Sequence, residues 1–346
     1  MKTFILPLVE HTTFSQGNVG GKGSSLLWLV KNGFNTAPGF IITTEAFREF
    51  IRSAGMEIQD RDQLRNLPLP RHIEESIRQA YRNLGGRVAV RSSMVGEDGV
   101  VSSFAGQLDT LLNIEGAEAA IQAVRACWMS MFNERFRNYL SERNAKNNLA
   151  MAVIVQQMVE AKAAGVAFSA DPISGEDVVI IEGTTGLGDV VAGGTVNPDR
   201  WVVDSQNNIV ESIQNSQTSP ALTRAQVQEL AAIMRKVALK ANSPQDVEWA
   251  WDGNNFILLQ ARPITSLAGK DVYSSKFVSE MVPGLIKPLV WSTTTSAITQ
   301  NVFAHVFDEL LGTGKVDASK LMKRIHSRVY ANVTLLGKAC EQLGLP

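Results

Sequence analysis

This sequence of 346 residues contains few cysteines and has almost no net charge. The two cysteines, Cys127 and Cys340, stand far apart and follow no metal-binding spacing. This excludes a disulfide framework and favours a reduced, cytoplasmic setting. The formal net charge is −1 and no block of like charges occurs, so we expect no nucleic-acid partner.

Long hydrophobic runs are also missing. The N-terminal apolar run is short and meets Pro7 and Glu10, so it does not read as a signal peptide. No run of about 18 apolar residues occurs, and we expect no membrane partner. Hydrophobic residues make up 45% and charged residues 19%, a globular composition in a chain long enough for two domains.

Histidine is rare as well. None of the four histidines has metal-ligand spacing or stands in a Thr-Gly-Gly segment, and no Ser-His-Asp or Cys-His arrangement can be argued. We predict structural or surface roles for His11, His72, His305 and His326.

The hydrophobic pattern predicts a mixed α/β chain. Predicted helices cover residues 24–31, 71–84, 117–143 and 223–241, the last capped by Thr223. Predicted strands cover 40–42, 88–90, 151–158, 165–169 and 178–181, followed by a hairpin of 247–251 with 256–261. Beyond Pro263 the chain is predicted to be irregular to residue 288 and then helical.

The segment VAVRSS at 88–93 carries the most informative pattern. Its apolar strand delivers Arg91 to a loop of small residues whose backbone N–H groups are unscreened. A guanidinium fork with converging amides is suited to phosphate, although a solvated turn has the same composition. The predicted cradle consists of Ser103, Phe104, Ala105 and Gly106.

Lys22 lies in a glycine-rich loop, residues 20–23, before a predicted helix. An anion there would meet free amides, the positive end of the helix and an ammonium group. The segment is not a Walker A loop, because Gln16 stands where that motif needs glycine and Gly23 follows the lysine. The alternative is an exposed structural turn.

The hairpin near residue 250 carries two carboxylates and an arginine. Asp246 and Glu248 share one face of their strand, and Gln260 and Arg262 share one face of the partner strand. All four lie on the same side only if the loop has odd length or the hairpin contains a bulge. Such a group suits Mg²⁺ with polyphosphate, and the alternative is a solvated strand face.

The strand at 151–158 is apolar but ends in polar residues. A purine can lie against a strand end of this kind and bond to its backbone, which makes Gln156 and Met158 candidates for nucleotide contact. The alternative is an ordinary core strand.

Taken in order, seven segments resemble the N-terminal nucleotide-binding region of the phosphoenolpyruvate synthase and pyruvate phosphate dikinase family. They are GGKGSSL at 20–26, APGFIITTEAF at 37–47, VAVRSS at 88–93, SFAGQLDT at 103–110, GVAFSADP at 165–172, EGTTGLGD at 182–189 and DVEWAWDGNNFILLQARPIT at 246–265. The resemblance implies an α+β ATP-grasp fold in which two α/β lobes, residues 1–150 and 151–266, clamp ATP. Residues 267–346 would form a linker and the start of a truncated helical domain.

The resemblance also implies roles for individual residues. Lys22, Arg91 and Arg262 would bind and clamp the phosphates, helped by the amides of 102–106. Glu248 would bind Mg²⁺, supported by Asp246 and Gln260. The segment from Gln156 to Met158 would hold the adenine.

The implied reaction is transfer of a phosphoryl group from Mg-ATP to a histidine on a swivelling carrier domain, with release of AMP and phosphate. No segment of this chain matches that domain, so we expect the chain to be an incomplete fragment and the carrier to lie downstream in the full-length protein. The segment FVSEMVPGLIKPLVWS at 277–292 resembles the rifampicin phosphotransferase branch, which leaves the acceptor open between pyruvate and another small molecule. A non-catalytic nucleotide-sensing module is the remaining alternative.

Overall fold

The computed structural model divides the chain into two compact units, Met1–Thr265 and Ser266–Pro346. It describes residues 3–53, 68–95, 110–131, 150–186, 197–215 and 219–264 of the first unit, and 273–275, 278, 284–295, 302–312, 316–325 and 327–343 of the second. In these ranges no helix combines the length and the hydropathy needed to cross a bilayer.

The first sheet of the first unit has five strands. They are β1 (Ile5–Pro7), β2 (Gly39–Ile42), β3 (Arg87–Met94), β4 (Thr110–Glu115) and β5 (Met151–Gln157). Their order is β1-β2-β5-β3-β4, and every neighbouring pair is antiparallel.

Three helices form a core with one face of this sheet: α2 (Thr44–Ser53), α3 (Arg71–Leu84) and α4 (Ala117–Ser130). Phe47 and Phe50 of α2 lie against Trp128 of α4, with ring centroids 5.7 and 5.6 Å apart, and none of the three is more than 1% exposed. Helix α3 turns Ile73 and Ile77 inward at helical spacing, as the sequence predicted for 71–84.

The second sheet has six antiparallel strands in the order β11-β10-β6-β7-β8-β9. Their bounds are β6 (Ala163–Phe168), β7 (Val179–Thr185), β8 (Asp199–Val203), β9 (Ile209–Ile213), β10 (Gln245–Trp251) and β11 (Phe256–Pro263). Helix α5 (Arg224–Ala241) shares a core with one face of this sheet. The predicted Thr223 cap is confirmed, because Thr223 and Gln226 form a reciprocal capping box.

Helix α1 (Gln16–Lys31) contacts β3 and β5 of the first sheet and β11 of the second. Its Leu26 and Leu27 belong to the same hydrophobic cluster as Ile154 of the first sheet and Trp249 of the second. The first unit is therefore a mixed α/β structure with two antiparallel sheets and a helix that contacts both, and the predicted mixed class is confirmed at that level.

Two local expectations differ from the structure. Residues 20–23, predicted as a loop, lie within α1, where Gly20 is the non-helical residue at a kink (φ 72°, ψ −178°). The predicted lobe boundary at residue 150 separates β5 from its sheet, yet β5 pairs with both β2 and β3. A buried apolar strand carries no local sign of the sheet it joins, because antiparallel partners are chosen by long-range packing.

The second unit contains a sheet where helix was predicted. Strands β12 (Tyr273–Ser274), β13 (Met322–Ile325) and β14 (Arg328–Asn332) pair in the order β12-β14-β13. Its helices are α6 (Pro288–Val290), α7 (Ala304–Leu311) and α8 (Val333–Gln342), with a π-helical turn Trp291–Thr295 and a 3₁₀ turn Ala318–Lys320. The helical prediction for this part of the chain is wrong at β13 and β14. Burial of Val329 and Ala331 on one face of a strand outweighs local helix propensity there.

Candidate nucleotide site

A cavity of about 420 Å³ lies between the two sheets of the first unit. The first sheet contributes the middle of β3, the start of β4 and the end of β5, and the second contributes β6, β10 and β11. The lining residues are Ala89, Arg91, Thr110, Leu112, Gln156, Gln157, Met158, Val159, Ala161, Ala164, Gly165, Val166, Glu248, Trp249, Ala250 and Leu259. The volume lies in the range of small-molecule sites, about 300–1,000 Å³.

A β-bulge decides the arrangement of the polar hairpin. Glu248 pairs with Gln260, but the next residue, Trp249, pairs with Leu258, so Leu259 is the extra residue of β11. Asp246 pairs with Arg262 on the near side of the bulge. Directly opposed residues of an antiparallel pair project to the same side, so all four polar side chains share one face of the sheet. Of the two routes left open by the sequence, the structure uses the bulge.

Arg262 is held by Asp246. Its Nε donates to Asp246 Oδ2 at 2.7 Å, and its Nη2 lies 2.7 Å from the same oxygen. Burial raises the pKa of Asp246, the Arg262 guanidinium opposes that shift, and nearby Glu248 adds to it. Since the folded-state pKa lies above the ordinary value, ionisation of Asp246 disfavours the folded state as pH rises through that pKa. Because two nitrogens of Arg262 contact the same Asp246 oxygen, the carboxyl group orients the guanidinium.

Arg91 connects the two sheets. Its Nη1 donates to the carbonyl oxygen of the bulge residue Leu259 at 3.2 Å, and its Nη2 donates to Glu248 Oε2 at 3.3 Å. The Arg91 side chain is 15% exposed, and its Nε is buried with no hydrogen-bond partner among the described residues. Arg91 is one of the residues that line the cavity, and a guanidinium there is suited to bind an anion.

Lys22 stands where α1 restarts after its kink. Ser93, fully buried on β3, accepts from the Gly23 N–H at 2.9 Å and donates to the Val19 carbonyl at 2.7 Å, so one hydroxyl bridges the kink. Lys22 Nζ lies 3.4 Å from the Ser92 carbonyl oxygen, next to Arg91 in the strand. Lys22 does not line the cavity, but the fold brings it to the strand that carries Arg91.

The predicted adenine segment lines the cavity, but part of its backbone is already bonded. Gln157 N–H donates to the Pro38 carbonyl and Met158 N–H to the Arg87 carbonyl, both at 2.8 Å. The buried Gln156 side chain donates from Nε2 to the Ala37 carbonyl at 3.0 Å. A purine in the cavity would therefore use other polar groups of the strand end.

Most lining residues were not singled out by the sequence, among them Ala89, Val159 and Leu259. Strand alternation could have indicated Ala89, because this residue stands two positions before Arg91 and lies on the same face of the strand. Val159 directly follows the predicted segment. Leu259 had no local signal, because it reaches the cavity through the bulge.

The predicted amide cradle lies outside the described residues and stays a prediction; it consists of Ser103, Phe104, Ala105 and Gly106.

Within the described ranges no three His, Cys, Asp or Glu side chains form a metal-binding group. The predicted magnesium ligands Asp246, Glu248 and Gln260 comprise two carboxylates and an amide on one sheet face, and their role stays a prediction.

Residues 16–277 match the family described as pyruvate phosphate dikinase, AMP/ATP-binding domain. The chain belongs to this family. The resemblance inferred from the seven segments is thereby confirmed.

The chain is also similar to several named proteins. The chain is 32% identical over 300 residues to the prodigiosin synthesizing transferase PigC of Serratia marcescens, and the alignment covers 77% of this chain and 34% of the relative. It is 34% identical over 303 residues to a probable phosphoenolpyruvate synthase of Methanothermobacter thermautotrophicus, and that alignment covers 72% of this chain and 44% of the relative. It is 32% identical over 352 residues to a rifampicin phosphotransferase of Streptomyces sp, covering 85% and 41%. The chain thus spans less than half the length of each of these three relatives.

Proposed function

We propose that the first unit is an ATP-grasp module that binds Mg-ATP in the cavity between its two sheets. In this proposal it donates a phosphoryl group from ATP to a histidine on a carrier domain, and AMP and phosphate are released. The observation that carries the proposal is Arg91, which lines the cavity from the first sheet and pairs with Glu248 of the second. Membership of an AMP/ATP-binding family supports the nucleotide.

The residues present suit Mg-ATP. Arg91 and Arg262 offer guanidinium groups to phosphate oxygens, and Lys22 offers an ammonium group from the adjoining helix. Glu248 and Gln260 offer the oxygen ligands that Mg²⁺ prefers, and their side chains share one face of the hairpin. When bound, Mg²⁺ neutralises phosphate charge. Phosphoryl transfer depends mainly on positioning and charge neutralisation, and these side chains provide both.

In the protein without ligand each arginine is paired with a carboxylate: Arg91 contacts Glu248, and Arg262 contacts Asp246. We infer that binding separates Arg91 from Glu248, so that the arginine turns to phosphate and the carboxylate to the metal. Asp246 keeps a supporting role by orienting Arg262. The purine lies toward Gln156, Met158 and Val159.

We expect Mg-ATP to raise the thermal unfolding temperature of the chain. A ligand that binds only the folded state at about 100 times its Kd adds roughly 2.7 kcal/mol to the free energy of unfolding. Calorimetric scans with ATP alone, Mg²⁺ alone and both together measure the effect. An unfolding temperature that is the same in all three scans would contradict the proposal.

Glu248→Gln is expected to weaken the Mg²⁺-dependent part of ATP affinity by about tenfold, because a hard cation loses a charged oxygen ligand. ATP affinity without Mg²⁺ should not fall, because the variant removes the carboxylate that pairs with Arg91 in the ligand-free protein. Titration calorimetry with and without Mg²⁺ gives both values. Glu211→Gln is the matched control, since Glu211 is a carboxylate of the same sheet that pairs with Arg200 on β8. Equal behaviour of the two variants would exclude the metal role of Glu248.

One observation favours a second candidate for the acceptor. The alignment with the rifampicin phosphotransferase covers 85% of this chain, against 72% for the phosphoenolpyruvate synthase of Methanothermobacter, although the overall identities are similar. A rifampicin-like small molecule is therefore a candidate beside pyruvate. Assay of the full-length protein with Mg-ATP and each acceptor distinguishes them by the phosphorylated product. Nucleotide binding without any AMP formation would instead support a sensing module.

A further inference from the structure

The outer edge of β11 is covered by residues of the first forty positions. β11 is the terminal strand in the order of the second sheet, so one side of its backbone has no strand beside it. Leu258 N–H donates to the Asn35 carbonyl at 2.8 Å, and Asn35 Nδ2 donates to the Phe256 carbonyl at 2.9 Å. These contacts join the edge strand to the chain that follows α1.

Ser25 of α1 makes the contact nearest to the polar face. Its hydroxyl donates to the carbonyl of Ala261 and accepts from the Ala261 N–H at 3.1 Å. One side chain thereby satisfies both backbone groups of a single residue in β11. Ala261 stands between Gln260 and Arg262, so a shift of this residue along the strand moves both neighbours.

Ser25 also has a fixed relation to Lys22. The two residues are three positions apart in the helical part of α1 and lie on one side of it. Lys22 lies 3.4 Å from the Ser92 carbonyl oxygen on the first sheet, and Ser25 bonds to β11 of the second. The helix turn from Lys22 to Ser25 therefore spans the two sheets beside the cavity.

We propose that Ser25 is a positioning residue that sets the distance between Lys22 and the pair Gln260 and Arg262. The inference rests on the proposed function, in which these three side chains bind the phosphates and the metal. Ser25 itself contacts backbone and no ligand. Its hydroxyl holds the edge strand in register with α1, so that cationic groups of both sheets converge on one polyphosphate. A purine toward Gln156 is placed by the end of β5 and not by Gln260 or Arg262, so it depends less on this contact.

The test is a set of three variants of the full 346-residue chain. Ser25→Ala removes the hydroxyl, and Ser25→Thr keeps it. Ser24→Ala is the matched control, because Ser24 Oγ donates to the Gly20 carbonyl at 2.7 Å within the same helix. Titration calorimetry measures the dissociation constants of Mg-ATP and of adenosine for each protein.

We expect Ser25→Ala to weaken Mg-ATP binding roughly 3- to 10-fold, the effect of losing one or two net hydrogen bonds. Adenosine affinity should stay within about twofold, because adenosine lacks the phosphates that Lys22 and Arg262 would bind. Ser24→Ala and Ser25→Thr should resemble the unchanged protein with both ligands. Amide hydrogen exchange at Ala261 should quicken in Ser25→Ala alone.

Several results would overturn the inference. One is an equal loss of Mg-ATP and adenosine affinity in Ser25→Ala, and another is the same Mg-ATP affinity in Ser25→Ala and Ser24→Ala. A Ser25→Ala protein that does not fold, or a Ser25→Thr protein as weak as Ser25→Ala, would assign the serine to packing. Failure of the unchanged protein to bind Mg-ATP would refute the proposed function itself, whereas the exchange rate at Ala261 would still report the contact.

Discussion

Arg91→Gln is expected to lower the affinity of the chain for Mg-ATP by about 100-fold or more. The guanidinium lies between the sheets, with Nη1 on the Leu259 carbonyl and Nη2 on Glu248. Glutamine keeps polar atoms but loses the charge and the fork that spans both partners. The loss also leaves Glu248 without its cationic partner in the ligand-free protein.

Arg87→Gln is the matched control for Arg91→Gln. Arg87 is the first residue of the same strand, is 47% exposed and pairs with Glu160, away from Glu248. Its replacement should change Mg-ATP affinity by less than about twofold, because exposed ion pairs contribute little. Titration calorimetry measures both variants, and circular dichroism verifies that each is folded. An Arg91→Gln protein that binds Mg-ATP as tightly as Arg87→Gln would remove the central residue of the proposed site.

Gly20→Ala is expected to destabilise the first unit by about 3 kcal/mol or more. Gly20 has φ 72°, a conformation that alanine adopts with strain. A Cβ there would lie 2.3 Å from the Ser93 carbonyl oxygen and 2.4 Å from Ser93 Oγ. Relief of the contact requires movement of β3 or of the helix that carries Lys22, so any folded fraction should also bind Mg-ATP weakly.

Gly33→Ala is the comparison for a positive-φ glycine that has no close contact. Gly33 follows the same helix with φ 76°, but a Cβ there would meet no atom within 4 Å. Its replacement should lower the free energy of unfolding by about 1 kcal/mol, the cost of holding alanine at a positive φ without a steric clash. Urea unfolding followed by circular dichroism compares the two variants. If both lose the same stability, close approach to Ser93 is not what requires glycine at position 20.

Much of the local structure followed from the sequence. Helix α3 occupies the predicted residues 71–84, and Thr223 caps α5 as predicted. These features depend on residues within a few positions of one another, where periodicity and capping act directly. The family also followed from the sequence, because its segments are short, specific and in order.

The candidate site was predictable as a set of residue types and not as an arrangement. Nothing near Gln260 indicates that β11 carries an extra residue at Leu259, yet that bulge places Asp246, Glu248, Gln260 and Arg262 on one face. Nor does strand 88–93 indicate that Arg91 pairs with a carboxylate 157 positions away. Such pairings depend on how two sheets pack, which no local pattern encodes.

The sequence by itself determined the mixed α/β class, the family and the chemistry of the candidate side chains. Tertiary structure alone decided that β5 joins the first sheet, that the second unit contains a sheet, and that Ser25 bonds to Ala261. The reason is physical: propensities and motifs act over a few residues, whereas sheet membership and edge contacts are set by burial between distant segments.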